Sequence, residues 1–160
     1  MDRTRLAAWL DEESAYTAAV IRDHGVFIQY VGGMLESAAP FAYTVGLFGS
    51  GRPEIAIVGV SPGTAAAVLN TVAKRVIAGE ELRPGQIIGF GEEWPHRVRV
   101  EQVPNPGDIA YSANDHYRRA PGSSVPLLQL TYDDKGGRFP DEDGYANPGW
   151  VQPRPGRWRA

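Results

Sequence analysis

The stretch GLFGSGRP, residues 46–53, has glycines at the spacing of a loop that wraps phosphate groups. Such a loop needs a lysine and then a serine or threonine after its last glycine, because the lysine contacts the phosphates and the hydroxyl binds magnesium. Arg52 and Pro53 occupy those positions here, and the strand-like EIAIVGV follows where a phosphate loop should open a helix. We therefore predict a turn between two strands, in which Gly49 and Gly51 supply positive φ angles.

A second polar stretch, YSANDHYRRA at residues 111–120, places a histidine beside two arginines. His116 can exchange a proton near neutral pH, and guanidinium groups bind carboxylate or phosphate oxygens through paired hydrogen bonds. Two interpretations stay open: a surface loop of charged residues, and a site where His116 acts as general acid or base beside a bound anion. A triad of Ser112, Asp115 and His116 lacks the G-x-S-x-G turn that presents a serine nucleophile.

Metal and thiol chemistry have little support in this sequence. The chain has no cysteine, which excludes thiolate metal ligands and cysteine nucleophiles. His24, His96 and His116 are far apart along the chain, and DEDG at residues 141–144 is only a fragment of a calcium loop. We expect neither a metal nor a cofactor.

The length of 160 residues and the net charge of −3 are typical of one globular domain. The acidic balance argues against a nucleic-acid partner. No apolar run approaches the roughly 20 residues that cross a membrane, and the first residues lack the apolar core of a secretion signal. We therefore expect a cytoplasmic protein without a membrane partner. The high content of arginine, alanine, glycine and proline is typical of bacteria with GC-rich genomes.

Helical periodicity appears in two parts of the sequence. Apolar residues between Leu6 and Val20 predict two short helices, or one bent helix, ending at Gly25. The clearest helix spans residues 62–78, because Ser61 is a suitable N-cap and apolar residues follow at i, i+3, i+4 and i+7.

Six stretches have the alternation or the β-branched content of strands: VFIQYV, FAYTVGLF, EIAIVGV, QIIGF, HRVRVEQV and VPLLQLTYDD. We expect an α+β fold, with a curved, mostly antiparallel sheet packed against the 62–78 helix and N-terminal helices covering another edge or end. Only residues 54–90 offer a β-α-β crossover. Residues 1–145 are predicted to form the single domain, and the Pro/Arg-rich residues 146–160 a C-terminal tail lying on it or extended in solvent.

Several pieces of the sequence occur together in the order found in a known family. They are FAYTVGL, GRPEIAIVGV, Leu69-Asn70, VAKRVIAGE and QLTYDDKGGRFPDEDGY, within residues 25–145. In these pieces the chain resembles the bacterial domain-of-unknown-function family numbered 4262. Members of that family often carry an aromatic residue after the proline of G-R-F-P, where this chain has Asp141. The resemblance implies a fold neighbourhood and no particular reaction.

For function, we expect a small molecule, with an anion as one option, bound in a pocket lined by aromatic and arginine side chains. The candidate contacts are Tyr43, His116, Tyr117 and Arg118. Two alternatives stay open: a protein-interaction module that uses the Arg/Trp-rich tail or a sheet edge, and an enzyme with His116 as acid or base. The expected partner is accordingly an unknown small molecule or a protein.

Overall fold

A computed structural model describes residues 2–32 and 39–160 of the chain. Six strands form one mixed sheet: β1 Phe27–Val31, β2 Phe41–Val45, β3 Glu54–Val58, β4 Ile87–Gly89, β5 Arg97–Gln102 and β6 Leu127–Tyr132. Three α-helices accompany them: α1 Arg3–His24, α2 Pro62–Ile77 and α3 Tyr111–His116. The predicted α+β class is confirmed.

The strands lie in the order β1-β2-β3-β6-β5-β4, and neighbours are antiparallel except for the parallel pair β3 and β6. This confirms the predicted, mostly antiparallel pairing. Residues 54–90, the one stretch that offered a β-α-β crossover, do not form one, because β4 lies at the far edge of the sheet beside β5 and not beside β3. The chain instead builds α2 and the β4–β5 hairpin before it returns to place β6 next to β3.

Helix α2 covers one face of the sheet. Ser61 caps its first turn by accepting a hydrogen bond from the N–H of Thr64 at 3.3 Å, and Pro62 begins the helix. The predicted apolar stripe is buried: Ala65, Val68, Leu69, Val72, Ala73 and Val76. Burying one valine or leucine side chain stabilises the fold by about 1.5–3 kcal/mol. The packing of this stripe against the sheet therefore stabilises α2.

The opposite face is covered by α3 and by the C-terminal segment. Trp158 packs against Phe41 with ring centroids 4.6 Å apart, and its indole N–H donates to Oε1 of Gln129 at 3.1 Å. Both Trp158 and Gln152 are buried. Of the two arrangements predicted for residues 146–160, the structure therefore has the one in which the segment lies on the domain.

Helix α1 is one continuous helix of 22 residues. It ends at Gly25, whose φ of 90° is a conformation in which glycine costs least. No residue of α1 is buried, and its contacts with the sheet come from its second half, where Tyr16 meets Phe27 edge-on at a centroid distance of 6.2 Å. The first half therefore leaves the domain instead of covering the sheet. No helix within the described ranges is both long and apolar enough to cross a bilayer.

Candidate functional site

The GLFGSGRP loop joins β2 to β3 through a short 3₁₀ turn, Leu47–Ser50. Positive φ angles occur at Gly46 (140°) and Gly51 (78°). The prediction is therefore correct for Gly51 and wrong for Gly49. Gly49 has another role, because its N–H donates to the hydroxyl of Tyr117 at 3.1 Å.

The carboxylate of Glu54 occupies the centre of this loop. Its oxygens accept hydrogen bonds from three consecutive backbone N–H groups, those of Gly46, Leu47 and Phe48, at 3.0, 3.0 and 3.1 Å. The hydroxyl of Thr44 donates a fourth, at 2.8 Å. Burial raises the pKa of the Glu54 carboxyl, while these hydrogen bonds act in the opposite direction. The amides that a phosphate would need already bind an internal carboxyl group.

Two of the four predicted contact residues hold α3 in place. Tyr43 is buried, and its hydroxyl accepts a hydrogen bond from the N–H of Ser112 at 2.8 Å. Burial raises the pKa of the Tyr43 hydroxyl, as it does for Tyr117. Tyr117 follows α3 and bonds the N–H of Gly49, so the two tyrosines tie the start and the end of α3 to β2 and its loop.

The other two predicted residues lie at the end of α3. His116 is half-buried and meets Tyr117 edge-on at 4.7 Å, whereas Arg118 is exposed. Arg118 has a φ of 54°, the one positive φ of a non-glycine residue in the described part of the chain. The structure thus brings His116, Tyr117 and Arg118 together at the surface and places Tyr43 beneath the helix.

The residues considered as a triad do not assemble into one. The hydroxyl of Ser112 donates to Oε1 of Gln29 at 3.1 Å, and the side chain of Asp115 is exposed. Ser112 therefore links α3 to β1 rather than to His116.

His96 and Asp133 form a pair that sequence reasoning missed. Nδ1 of His96 lies 2.8 Å from the carbonyl oxygen of Asp133 and 3.0 Å from its Oδ1. Both are acceptors, which places a proton on Nδ1. The rings of Trp94 and Tyr132 flank His96 at 4.9 and 5.6 Å. The described ranges contain no group of three or more His, Asp or Glu residues suited to a metal ion.

A cluster of charged residues on the outer face of β5 is the second missed feature. Nη2 of Arg99 donates to Oε1 of Glu101 at 2.8 Å and to Oδ1 of Asp141 at 2.7 Å. Nη2 of Arg154 donates to the same Glu101 oxygen at 2.9 Å, and the hydroxyl of Thr131 donates to its other oxygen at 2.7 Å. Glu101 thus holds two guanidinium groups that come from distant parts of the chain.

Phe139 supports this cluster from the G-R-F-P piece. Its ring centroid lies 4.8 Å from the guanidinium carbon of Arg99 and 5.4 Å from that of Arg97, within the range of cation–π attraction. Asp141, the residue after the proline of this piece, pairs with Arg99, and that hydrogen bond lowers the pKa of Asp141.

A cleft of about 710 Å³ lies where the cluster meets the C-terminal segment. Arg99 and Glu101 line it from β5, and Arg154 and Arg157 line it from the C-terminal segment. Nε of Arg154 is buried and has no acceptor among the described residues. Within the same ranges, Arg157 forms no ion pair. Glu101 lines the cleft beside these arginines, Asp141 is bonded to Arg99, and Glu142 and Asp143 line a neighbouring depression together with Arg154 and Arg157.

Comparison with known proteins identifies the family. The model of the domain of unknown function DUF4262 matches residues 20–146, and the chain belongs to this family. It is also 36% identical over 104 residues to the alanine racemase of Nitrosococcus oceani, a match that covers 59% of this chain and 28% of that protein. The chain thus spans only part of that relative. No solved structure matches the chain significantly.

Proposed function

We propose that this domain binds a small molecule through one oxyanion group, in the cleft between β5 and the C-terminal segment. The observation that carries the proposal is Nε of Arg154, which is buried without an acceptor among the described residues. A buried donor without a partner costs about 1–3 kcal/mol. Because Nε is closed to water, an oxyanion in the cleft would accept this hydrogen bond and remove that cost after a shift of the Arg154 side chain.

Glu101 prepares the arginines for such a ligand. Because its Oε1 accepts hydrogen bonds from both Arg99 and Arg154, the two guanidinium groups are oriented before the ligand arrives. Groups that are already oriented lose little conformational entropy on binding. Arg157 adds a second guanidinium from the C-terminal segment, and paired arginines are well suited to oxyanions.

The charge and the size of the cleft narrow the class of ligand. The carboxylates that surround the three arginines favour a ligand group with a single negative charge, such as a carboxylate, over a phosphate monoester of charge near −2. The cleft, of about 710 Å³, is wide open to solvent, so it would hold one group of a small molecule rather than enclose the whole of it. We propose no reaction, because the match to the racemase covers only 28% of that protein.

The end of α3 is the second candidate site for the same kind of ligand. It is favoured by the positive φ of Arg118, since residues in costly backbone conformations often serve a function. His116 and Tyr117 lie beside Arg118 there. Tyr43 would act by holding α3, because its own side chain is buried and its hydroxyl is bonded to Ser112.

A thermal-shift screen with monocarboxylates in one arm and phosphate monoesters in the other tests the proposal, because a ligand of the native state raises the melting temperature. Calorimetry on a stabilising ligand then compares Arg157→Gln with Arg118→Gln, two variants that each remove one arginine charge. We expect Arg157→Gln to weaken binding about tenfold or more, since a charged hydrogen bond contributes about 1.5–3 kcal/mol. Arg118→Gln should leave affinity unchanged.

The reverse result would move the site to the end of α3. If no compound from either arm raises the melting temperature, the proposed function is wrong.

A further inference from the structure

The first half of α1 carries an apolar stripe that nothing in the described ranges covers. Leu6, Trp9 and Leu10 are 44%, 49% and 51% exposed. Their spacing of i, i+3 and i+4 places them on one side of the helix. The same side carries Tyr16 and Ile21 farther along, where α1 packs on the sheet. The domain thus uses one end of this stripe and leaves the other end exposed.

Charged residues at the two ends of the stripe have opposite signs. At about 100° of rotation per residue, Arg3 lies beside the stripe at its start and Glu13 lies on it one turn beyond Leu10. Arg5 and Glu12 lie together along one border of the stripe. Of these four residues, Arg5 alone forms an ion pair within the described ranges. Its Nε lies 3.9 Å from Oδ2 of Asp2, and both side chains are exposed. Since Asp2 offsets Arg5, the start of the stripe has one positive charge in excess, that of Arg3, whereas its other end is negative.

We propose that α1 docks against the α1 of a second copy of this chain, with the two helices antiparallel about a two-fold axis that crosses the contact at the level of residue 8. In this register Leu6 faces Leu10 of the second copy. Arg3 faces Glu13 of the second copy, and Arg5 lies beside its Glu12. Because the contact is isologous, every such pair forms twice. A second copy of α1 fits the stripe because, in the antiparallel arrangement, the positive end of each helix lies against the negative end of the other.

The length of the exposed segment suits this arrangement. Residues 3–13 rise about 15 Å, and the overlap ends before Tyr16, where α1 meets Phe27 of the domain. In this register the two domains lie toward opposite ends of the helix pair. Residues 3–19 lie outside the DUF4262 match, so this is a feature of the chain beyond the family domain. The contact is smaller than a standard interface, and we expect a dissociation constant in the micromolar to millimolar range.

Sedimentation equilibrium of the full chain over a concentration series tests the proposal. We expect a monomer–dimer equilibrium that Trp9→Lys abolishes. Arg3→Glu and Glu13→Arg should each raise the dissociation constant about tenfold, because each places like charges together at two symmetric contacts. The double variant Arg3→Glu/Glu13→Arg should restore the wild-type constant, because both pairs form again with their signs exchanged. Asp11→Arg, on the opposite side of α1, is the matched control and should have no effect.

Three results would overturn the proposal. The first is a wild-type chain that stays monomeric at every concentration, since a second copy would then not be what covers the stripe. The second is a dimer that survives Trp9→Lys. The third is a double variant that does not recover association, which would refute the antiparallel register. Thermal unfolding checks that each variant folds, and we expect unchanged melting temperatures because these side chains are exposed.

Discussion

The Glu54 carboxylate lies 3.0 Å from the backbone nitrogen of Leu47, inside the loop whose glycines most resemble a phosphate-binding loop. Glu54 is the first residue of β3 and is fully buried. Its carboxylate occupies the position that the phosphate of a nucleotide would take in a phosphate-binding loop. The loop is therefore a turn whose backbone donors are satisfied by the strand that it introduces.

Replacing Glu54 by glutamine should lower the free energy of unfolding by about 2–4 kcal/mol, because the new amide group leaves buried backbone donors without an acceptor. Denaturant unfolding measures this change. Glu81→Gln is the control: its exposed side chain predicts a change within about 0.5 kcal/mol. Equal stabilities of the two variants would contradict the role given to Glu54.

Trp158→Ala should destabilise the domain by about 3–5 kcal/mol, because it removes a large buried ring from the layer that covers Phe41. Trp150→Ala, in the same segment but 72% exposed, should have little effect. Denaturant midpoints of the two variants provide the comparison. If the two variants unfold alike, the segment after residue 146 does not stabilise the sheet.

Arg118→Gly should leave the free energy of unfolding unchanged or raise it by up to about 1 kcal/mol, since glycine adopts a positive φ without the strain of a side chain. Arg119→Gly is a useful comparison, because its φ is negative and its guanidinium stacks on Phe48 at 5.1 Å. That variant should be destabilised. A loss of stability in Arg118→Gly would show that the arginine side chain itself stabilises the turn.

Tyr132 should make stability fall at alkaline pH. Burial raises the pKa of its hydroxyl from 10.0 to about 12. The folded state therefore keeps a proton that the unfolded state releases, and the contribution of Tyr132 to stability is lost as the pH rises from 10 to about 12. Unfolding curves at several pH values measure the decline, which should be smaller in Tyr132→Phe. Parallel declines in both proteins would contradict the assigned pKa.

The elements that sequence predicts well are those whose signals are local. Helix α2 has its cap at Ser61 and its apolar stripe within one continuous segment, so both its position and its buried face could be predicted. The stripe of α1 shows the limit of this reasoning. Periodicity marks Leu6 and Trp9 as apolar positions on one side of a helix, but it does not tell whether the domain or another chain covers them.

The charged cluster and the histidine pair could not be predicted, because their members are brought together only by the sheet. His96 and Asp133 are 37 residues apart, and Glu101 and Arg154 are 53 residues apart. Glu54 is closer to its donors but sits in an apolar strand, where an isolated acid gives no sign of its partners. The alternation in HRVRVEQV predicts the strand β5, and a strand places Arg99 and Glu101 on the same face, which is the part of the site that sequence could supply.

The measurement closest to the central claim is the NMR signal of the Nε–H group of Arg154, assigned by its absence in Arg154→Lys. On titration with a carboxylate ligand that stabilises the protein, this signal should move downfield and exchange more slowly with water, because Nε gains an acceptor. The corresponding signal of Arg118 should stay where it is. If Arg154 is unaffected at saturating ligand, or if Arg118 responds in its place, the cleft beside β5 is not the binding site.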